Sequence, residues 1–124
     1  MDNYTAKVER ATIELSAKDR IRIKNFSSAH ALDEIVTEES PLMIDMAFYA
    51  VVNVHNPKGK DKTDYDKCVI VDNSGEMYVT GSNNVIRQLD DISSEMGGEP
   101  FCIEVYKRPS KNYKGKCFMS CNII

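Results

Sequence analysis

The densest chemistry in the sequence lies at residues 107–116, KRPSKNYKGK. Lys107, Arg108, Lys111, Lys114 and Lys116 stand there without an acid among them, and Tyr113 sits between the last cations. Tyr106 precedes the stretch and Phe118 follows it. Cations at this density neutralise phosphates, and the counterions they release drive association. Rings interleaved with them offer flat faces on which unpaired bases stack, each for roughly 1–3 kcal/mol.

Two further groups share this character more weakly. Residues 56–66, NPKGKDKTDYD, hold Lys58, Lys60, Lys62 and Tyr65, diluted by Asp61, Asp64 and Asp66. Residues 19–26, DRIRIKNF, alternate. Read as a strand, they put Ile21 and Ile23 on one face and Arg20, Arg22, Lys24 and Phe26 on the other. The same cations would equally blunt an exposed sheet edge. Tyr49 joins the stacking candidates because it falls off the expected core face of its own strand.

Other chemistries find little support. Cys117 and Cys121 are the only close cysteine pair, and His30 and His55 lie far from them. A zinc site needs a second such cluster or histidines at ligand spacing, so no metal is expected. No glycine-rich phosphate loop, nucleophile elbow or zinc-protease helix is present, so neither catalysis nor a cofactor is expected. Asp90 and Asp91 read as the solvated face of a helix.

The elements that must position these residues are mostly short alternating runs bounded by turn residues. Strands are expected over 7–15 and 19–26, joined at Ser16-Ala17-Lys18. The acidic stretch 27–42 reads as a connecting loop. A long strand spans 43–55, with Met46, Phe48, Ala50, Val52 and Val54 toward the core. Strands 67–72 and 76–81 form a hairpin around Asn73-Ser74-Gly75. Residues 82–96 change period: Val85, Leu89, Ile92 and Met96 recur at helical spacing. Ser82 or Asn83 serves as N-cap there and Gly97-Gly98 as the stop. Strands 101–106 and 117–123 close the chain. Phe118, Ser120 and Asn122 lie opposite the core-facing Cys117, Met119 and Cys121.

From residue 43 onward the order is three strands, a helix and two strands. That is the order of an OB-fold, a five-stranded Greek-key barrel with its helix between strands three and four. The fold class expected is mainly β, this barrel plus two extra N-terminal strands, in one domain over 1–124. In such a barrel, the loop after strand one and the loop after strand four flank the binding face. Here those are 56–66 and 107–116, the basic stretches already singled out.

The segments KCVIVDNSGEMYVTGSNNVIRQLDDI, GGEPFCIEVYKR and KNYKGKCFMSCNI resemble the phage-type single-stranded DNA-binding proteins of bacteriophages and plasmids. The matching pieces are Val69 to Val71, Asp72 to Gly75, Tyr78, Ser82, Val85 to Ile92, Gly98 to Pro100 and Lys114 to Met119, and the likeness covers roughly residues 43–124. It implies binding of single strands without strong sequence preference during DNA replication or recombination, with no catalysis. Members of that family commonly carry Trp after the Gly-Glu-Pro turn; Phe101 stands there, and this chain has no Trp. Bacterial housekeeping relatives end in an acidic tail that recruits partners. This chain ends CNII, so tail-based recruitment is not expected.

The overall composition bounds the alternatives. The 124 residues include 16 Lys and Arg against 19 Asp and Glu, a net charge of −3, which excludes a uniformly basic protein. Residues 1–15 lack an apolar h-region and no run is long enough for a membrane span. The four cysteines then read as free thiols in a reducing cytoplasm, that of a bacterial host if phage-encoded. Expected partners are single-stranded DNA and no membrane, with a homo-oligomer or replication and recombination proteins compatible with the reading. Two rivals predict different behaviour. A phage-encoded module that inhibits a host protein would show no oligonucleotide affinity at any salt. A small-ligand or enzymatic β-barrel would show a closed apolar pocket.

Overall fold

A computed structural model describes residues 5–56, 64–109 and 117–124. The chain is mainly β, with a sheet that curls into a half-barrel. The strands are β1 (Thr5–Ala11), β2 (His30–Ala31), β3 (Leu42–His55), β4 (Asp64–Asp72), β5 (Met77–Thr80), β6 (Cys102–Pro109) and β7 (Cys117–Ile123). Helices are α1 (Ala17–Lys24), α2 (Leu32–Ile35) and α3 (Asn83–Met96), with a 3-10 turn at Phe26–Ser28. The sheet runs β2-β5-β4-β3-β6-β7, and β1 adds to β3. Every pairing is antiparallel except the two-residue β2–β5 ladder. No helix among the described residues is long and apolar enough to cross a membrane.

The long strand β3 makes the curl. Its first part, Leu42–Asp45, pairs with β6, and the part from Met46 to His55 pairs with β4 on one side. On its other side, Ala50–His55 pairs with β1. Within the β3–β4 ladder the register slips by one residue at Ala47. A bulge of this kind adds a residue, bends the strand and shifts which side chains share a face. Met46 is therefore followed on the inner face by Tyr49 and Val51, while Phe48, Ala50, Val52 and Val54 turn outward. The alternation expected from the sequence holds on either side of the bulge, but not across it.

Both faces of β3 are consequently buried. Inside, Ile44, Met46, Tyr49, Val51, Cys68, Ile70, Ile103, Val105, Met119 and Cys121 pack against Val85, Ile86 and Leu89 of α3. Outside, Ala50, Val52, Val54, Val69, Val71, Met77 and Val79 pack beneath Leu15 and Ile23 of the N-terminal segment, with Phe26 and Ala29 against them. Each such aliphatic side chain stabilises the fold by roughly 1.5–3 kcal/mol when fully buried.

Helix α3 matches its sequence signals closely. Ser82 Oγ accepts from Val85 N at 3.2 Å, and Gly97, at φ 60°, ends the helix in a left-handed conformation suited to glycine. The β4–β5 turn is equally local. Asp72 Oδ1 accepts from the backbone N–H of Ser74 and of Glu76, both at 2.9 Å, and Gly75 takes φ 90°.

Residues 19–26 correct the expected second N-terminal strand: they lie in α1 and the 3-10 turn. Ser16 is an N-cap and not part of a hairpin loop, its Oγ accepting from Asp19 N at 3.1 Å. Asp19 in the first turn and Lys24 in the last complement the helix dipole. Alternation of Ile21 and Ile23 holds no further, since in a helix the two point nearly opposite ways. Ile23 is buried, whereas Ile21 is 61% exposed. The acidic stretch 27–42 likewise contains short structure, β2 and α2.

Candidate nucleic-acid interface

The antiparallel hairpin β6–β7 presents the most concentrated candidate surface. Its register sets Arg108 opposite Phe118, Lys107 opposite Met119 and Tyr106 opposite Ser120. Because strand side chains alternate, Ile103 and Val105 turn into the core while Tyr106 and Arg108 share the outer face with Phe118. The Arg108 guanidinium carbon lies 4.8 Å from the centre of the Tyr106 ring. Cation–π contact of this kind is worth about 0.5–1 kcal/mol at an exposed site and restricts both side chains. Phe118 is 44% exposed, a large apolar ring left partly in water. Two rings and a guanidinium on one face can stack flat groups and neutralise an anion between them.

Helix α3 holds this hairpin in place. Gln88 Oε1 accepts from Cys121 N at 2.8 Å. Asn84 Nδ2 donates to Met119 O at 3.0 Å and to Ser120 Oγ at 2.8 Å. These bonds cover the free edge of β7, which would otherwise invite pairing with another chain. They also bury Ser120, leaving Phe118 as the prominent outer residue of that strand. Nothing in the sequence pointed to Asn84 or Gln88, because both partners lie more than thirty residues away.

Lys107 is engaged differently from Arg108. Its ammonium donates to the carbonyl of Asp33 and lies in a depression with Glu38, Glu39 and Cys117. Beside it, Cys117 Sγ donates to Glu38 Oε1 at 2.6 Å. That hydrogen bond to the Glu38 carboxylate, more than burial, pushes the Cys117 thiol up from its ordinary value, so it stays protonated and unreactive near neutral pH. The acidic segment thus meets one side of the hairpin base and leaves the outer face with Tyr106, Arg108 and Phe118.

Tyr49 is a second correction. The bulge at Ala47 turns it inward, where it is 3% exposed and its hydroxyl donates to Asp90 Oδ1 at 2.7 Å. Asp90 also receives the Arg10 guanidinium, with Nη2 at 2.5 Å and Nε at 3.5 Å. Asp90 is accordingly a structural anchor as well as part of the helix surface, its side chain 36% exposed. Burial, with the Asp90 hydrogen bond and charge behind it, pushes the Tyr49 hydroxyl well above its ordinary range. No base can stack on this ring while the fold persists.

The α1 group is dispersed. Arg20 and Lys24, four residues apart, share a helix face and border a shallow depression with Lys7 of β1. Arg22 points elsewhere and its Nη2 donates to Gly75 O at 3.2 Å. Phe26 packs into the outer core and not toward solvent. These residues therefore do not form the single cationic-aromatic face expected of a strand. Lys58, Lys60, Lys62, Lys111, Tyr113, Lys114 and Lys116 lie outside the described residues. Of the sequence candidates, Tyr106, Arg108 and Phe118 are the ones brought together. No family model, curated protein or solved structure matches this chain.

Proposed function

We propose that the protein binds single-stranded DNA, without strong sequence preference, on the outer face of the β6–β7 hairpin. The observation that carries this reading is the Tyr106–Arg108–Phe118 cluster at the base of a connection rich in cations. Rings that stack any base, beside charges that meet any phosphate, give affinity with little dependence on sequence. The protein would protect or organise single strands during phage or plasmid replication or recombination, without catalysis.

The strand path supports an OB-type reading of the half-barrel. Strand β3 pairs with both β4 and β6, α3 lies between β5 and β6 in the chain, and β7 returns beside β6. We take that path as support for an OB-type barrel. Closure differs, since β5 pairs with the short β2 and not with β7. The outer face of β4–β5, often used by OB domains, lies here beneath α1 and the 3-10 turn. Binding is therefore assigned to the hairpin whose Arg108 and Phe118 stay exposed among the described residues.

The deciding experiment is a titration of labelled oligothymidine and of a duplex of equal length at about 50 and about 200 mM salt. Tighter binding to the single strand with a steep salt dependence is expected. Equal affinity for the duplex, or no binding at the lower salt, would overturn the proposal.

A further inference from the structure

A groove of about 340 Å³ opens at the other end of β6 from Arg108. Phe101 lines it, seven residues and so roughly 23 Å along the strand from Arg108. Its walls come from four places: Thr12 and Ile13 after β1, the bulged stretch Met46–Tyr49, Asn73 of the β4–β5 turn, and Ser93 with Gly98–Phe101 beyond α3. These walls are tied together. Thr12 N donates to Tyr49 O at 3.1 Å, and Thr12 Oγ1 accepts from Tyr49 N at 3.2 Å. The Tyr49–Asp90 hydrogen bond then anchors the floor to α3. The groove is built into the fold, which lowers the ordering cost of filling it.

Its chemistry is the inverse of the hairpin's. Ile13, Phe48, Pro100 and Phe101 supply apolar surface, and Ile13 is 45% exposed. Among the described residues Glu99 is the one charged group in the lining, and no described Lys or Arg lines it. Asp45 and Asp72 flank it at Asn73, whose backbone N–H donates to Asp45 O at 3.0 Å. Hydrogen bonds from Asn73 and Cys102 hold the Asp45 carboxyl below the usual carboxylate range, so it stays charged at neutral pH. A phosphate-bearing strand is repelled here, whereas a cation beside a bulky apolar side chain is complemented twice.

We propose that this groove docks a short segment of a partner protein that carries large apolar residues beside lysine or arginine. The apolar side chain fills the space between Ile13, Phe48 and Phe101, and the cation meets Glu99, Asp45 and Asp72. Charge complementarity sets the partner's sign, and the separation from Arg108 leaves the hairpin free while the groove is occupied. The inference does not rest on the hairpin's assignment.

The test uses the full chain labelled with ¹⁵N and three synthetic dodecapeptides, alternating Leu/Lys, Ser/Lys and Leu/Glu. The Leu/Lys peptide should shift the amides of Ile13, Phe48 and Phe101, with Ser/Lys and Leu/Glu much weaker. Glu99 is exposed at a turn, so Glu99→Lys keeps the fold; it should weaken the Leu/Lys peptide about tenfold and leave oligothymidine affinity unchanged. Equal binding of all three peptides, or shifts spread over the acidic 33–39 segment, would overturn the proposal. So would movement of the groove signals by oligothymidine, or by raising the protein concentration alone, which would make the occupant nucleic acid or a second copy.

Discussion

Two hairpins of one curled sheet, β4–β5 and β6–β7, meet opposite fates on their outer faces. The outer side of β4–β5 carries Val69, Val71, Met77 and Val79, and the N-terminal segment covers it through Leu15, Ile23 and Phe26. The outer side of β6–β7 carries Tyr106, Arg108 and Phe118; α3 covers it at Ser120, while Arg108 and Phe118 stay exposed. Both hairpins turn aliphatic side chains inward to the same core. What differs is the residue type placed on the other face. Aliphatic side chains there demand a cover, whereas a guanidinium and partly polar rings tolerate water until a ligand arrives. The proposed binding face lies where the described cover ends.

The largest effect that would break this contrast comes from Tyr106→Ala combined with Phe118→Ala. Two lost stacking contacts remove roughly 2–6 kcal/mol of binding at 1–3 kcal/mol each, while the thermal unfolding curve should stay close to the original. Oligothymidine affinity within twofold of the wild type would remove the hairpin from the site.

Next in size is Ile23→Ala, which opens a cavity under the cover. It should cost about 2–5 kcal/mol in urea unfolding, yet leave the affinity of the folded molecules unchanged. A matching fall in affinity would mean that the covered half takes part in binding.

Tyr49→Phe separates the inward tyrosine from the outward ones. It deletes the hydroxyl's hydrogen bonds to Ser93 and to an Asp90 carboxylate that keeps its arginine, so about 1–2 kcal/mol of stability should go and no affinity. The same inner side should respond to alkali. Burial pushes the Cys121 thiol from 9.0 to about 11, and pushes the Cys68 thiol and the Tyr49 hydroxyl up as well. Unfolded chains release these protons first, so the folded state binds more protons and stability falls as pH rises. From Cys121 the loss should run from about pH 9 to about pH 11. Urea midpoints that stay flat over that interval would contradict the burial of these groups.

The smallest effect is read from salt dependence. Arg108→Gln should lower the slope of log affinity against log salt by about one. Arg20→Gln with Lys24→Gln should leave that slope unchanged, because α1 lies on the covered half. An equal drop in both variants would join the two halves into one path.

Legibility in the sequence followed the range of the interactions. Residues 82–96 read as a helix because the apolar period, the Ser82 cap and the Gly97 stop all lie within the segment. The β4–β5 hairpin was equally plain, since Asp72 and Gly75 build the turn by themselves. Residues 19–26 misled because Ile21 and Ile23 alternate over too few positions, while the Ser16–Asp19 cap that decides for a helix lies just before them. Tyr49 misled for a different reason. A bulge changes no residue, so the pattern in 43–55 reads continuously through it. Tyr106, Arg108 and Phe118 were visible as types and spacing, but Lys107 next to them was not separable from Arg108.

Composition, local periodicity and turn chemistry determined the strands from 43 onward, α3 and the sorting of charge into a basic stretch at 107–116 and an acidic one before β3. These depend on neighbours within a few residues. Only the tertiary structure decided that α1 roofs one hairpin, that Tyr49 is locked to Asp90, and that Lys107 is taken by the Asp33 carbonyl. It also decided that an apolar groove with acids around it opens at the far end of β6. Each of these needs groups tens of residues apart to meet, and which groups meet is settled by how the curled sheet packs as a whole.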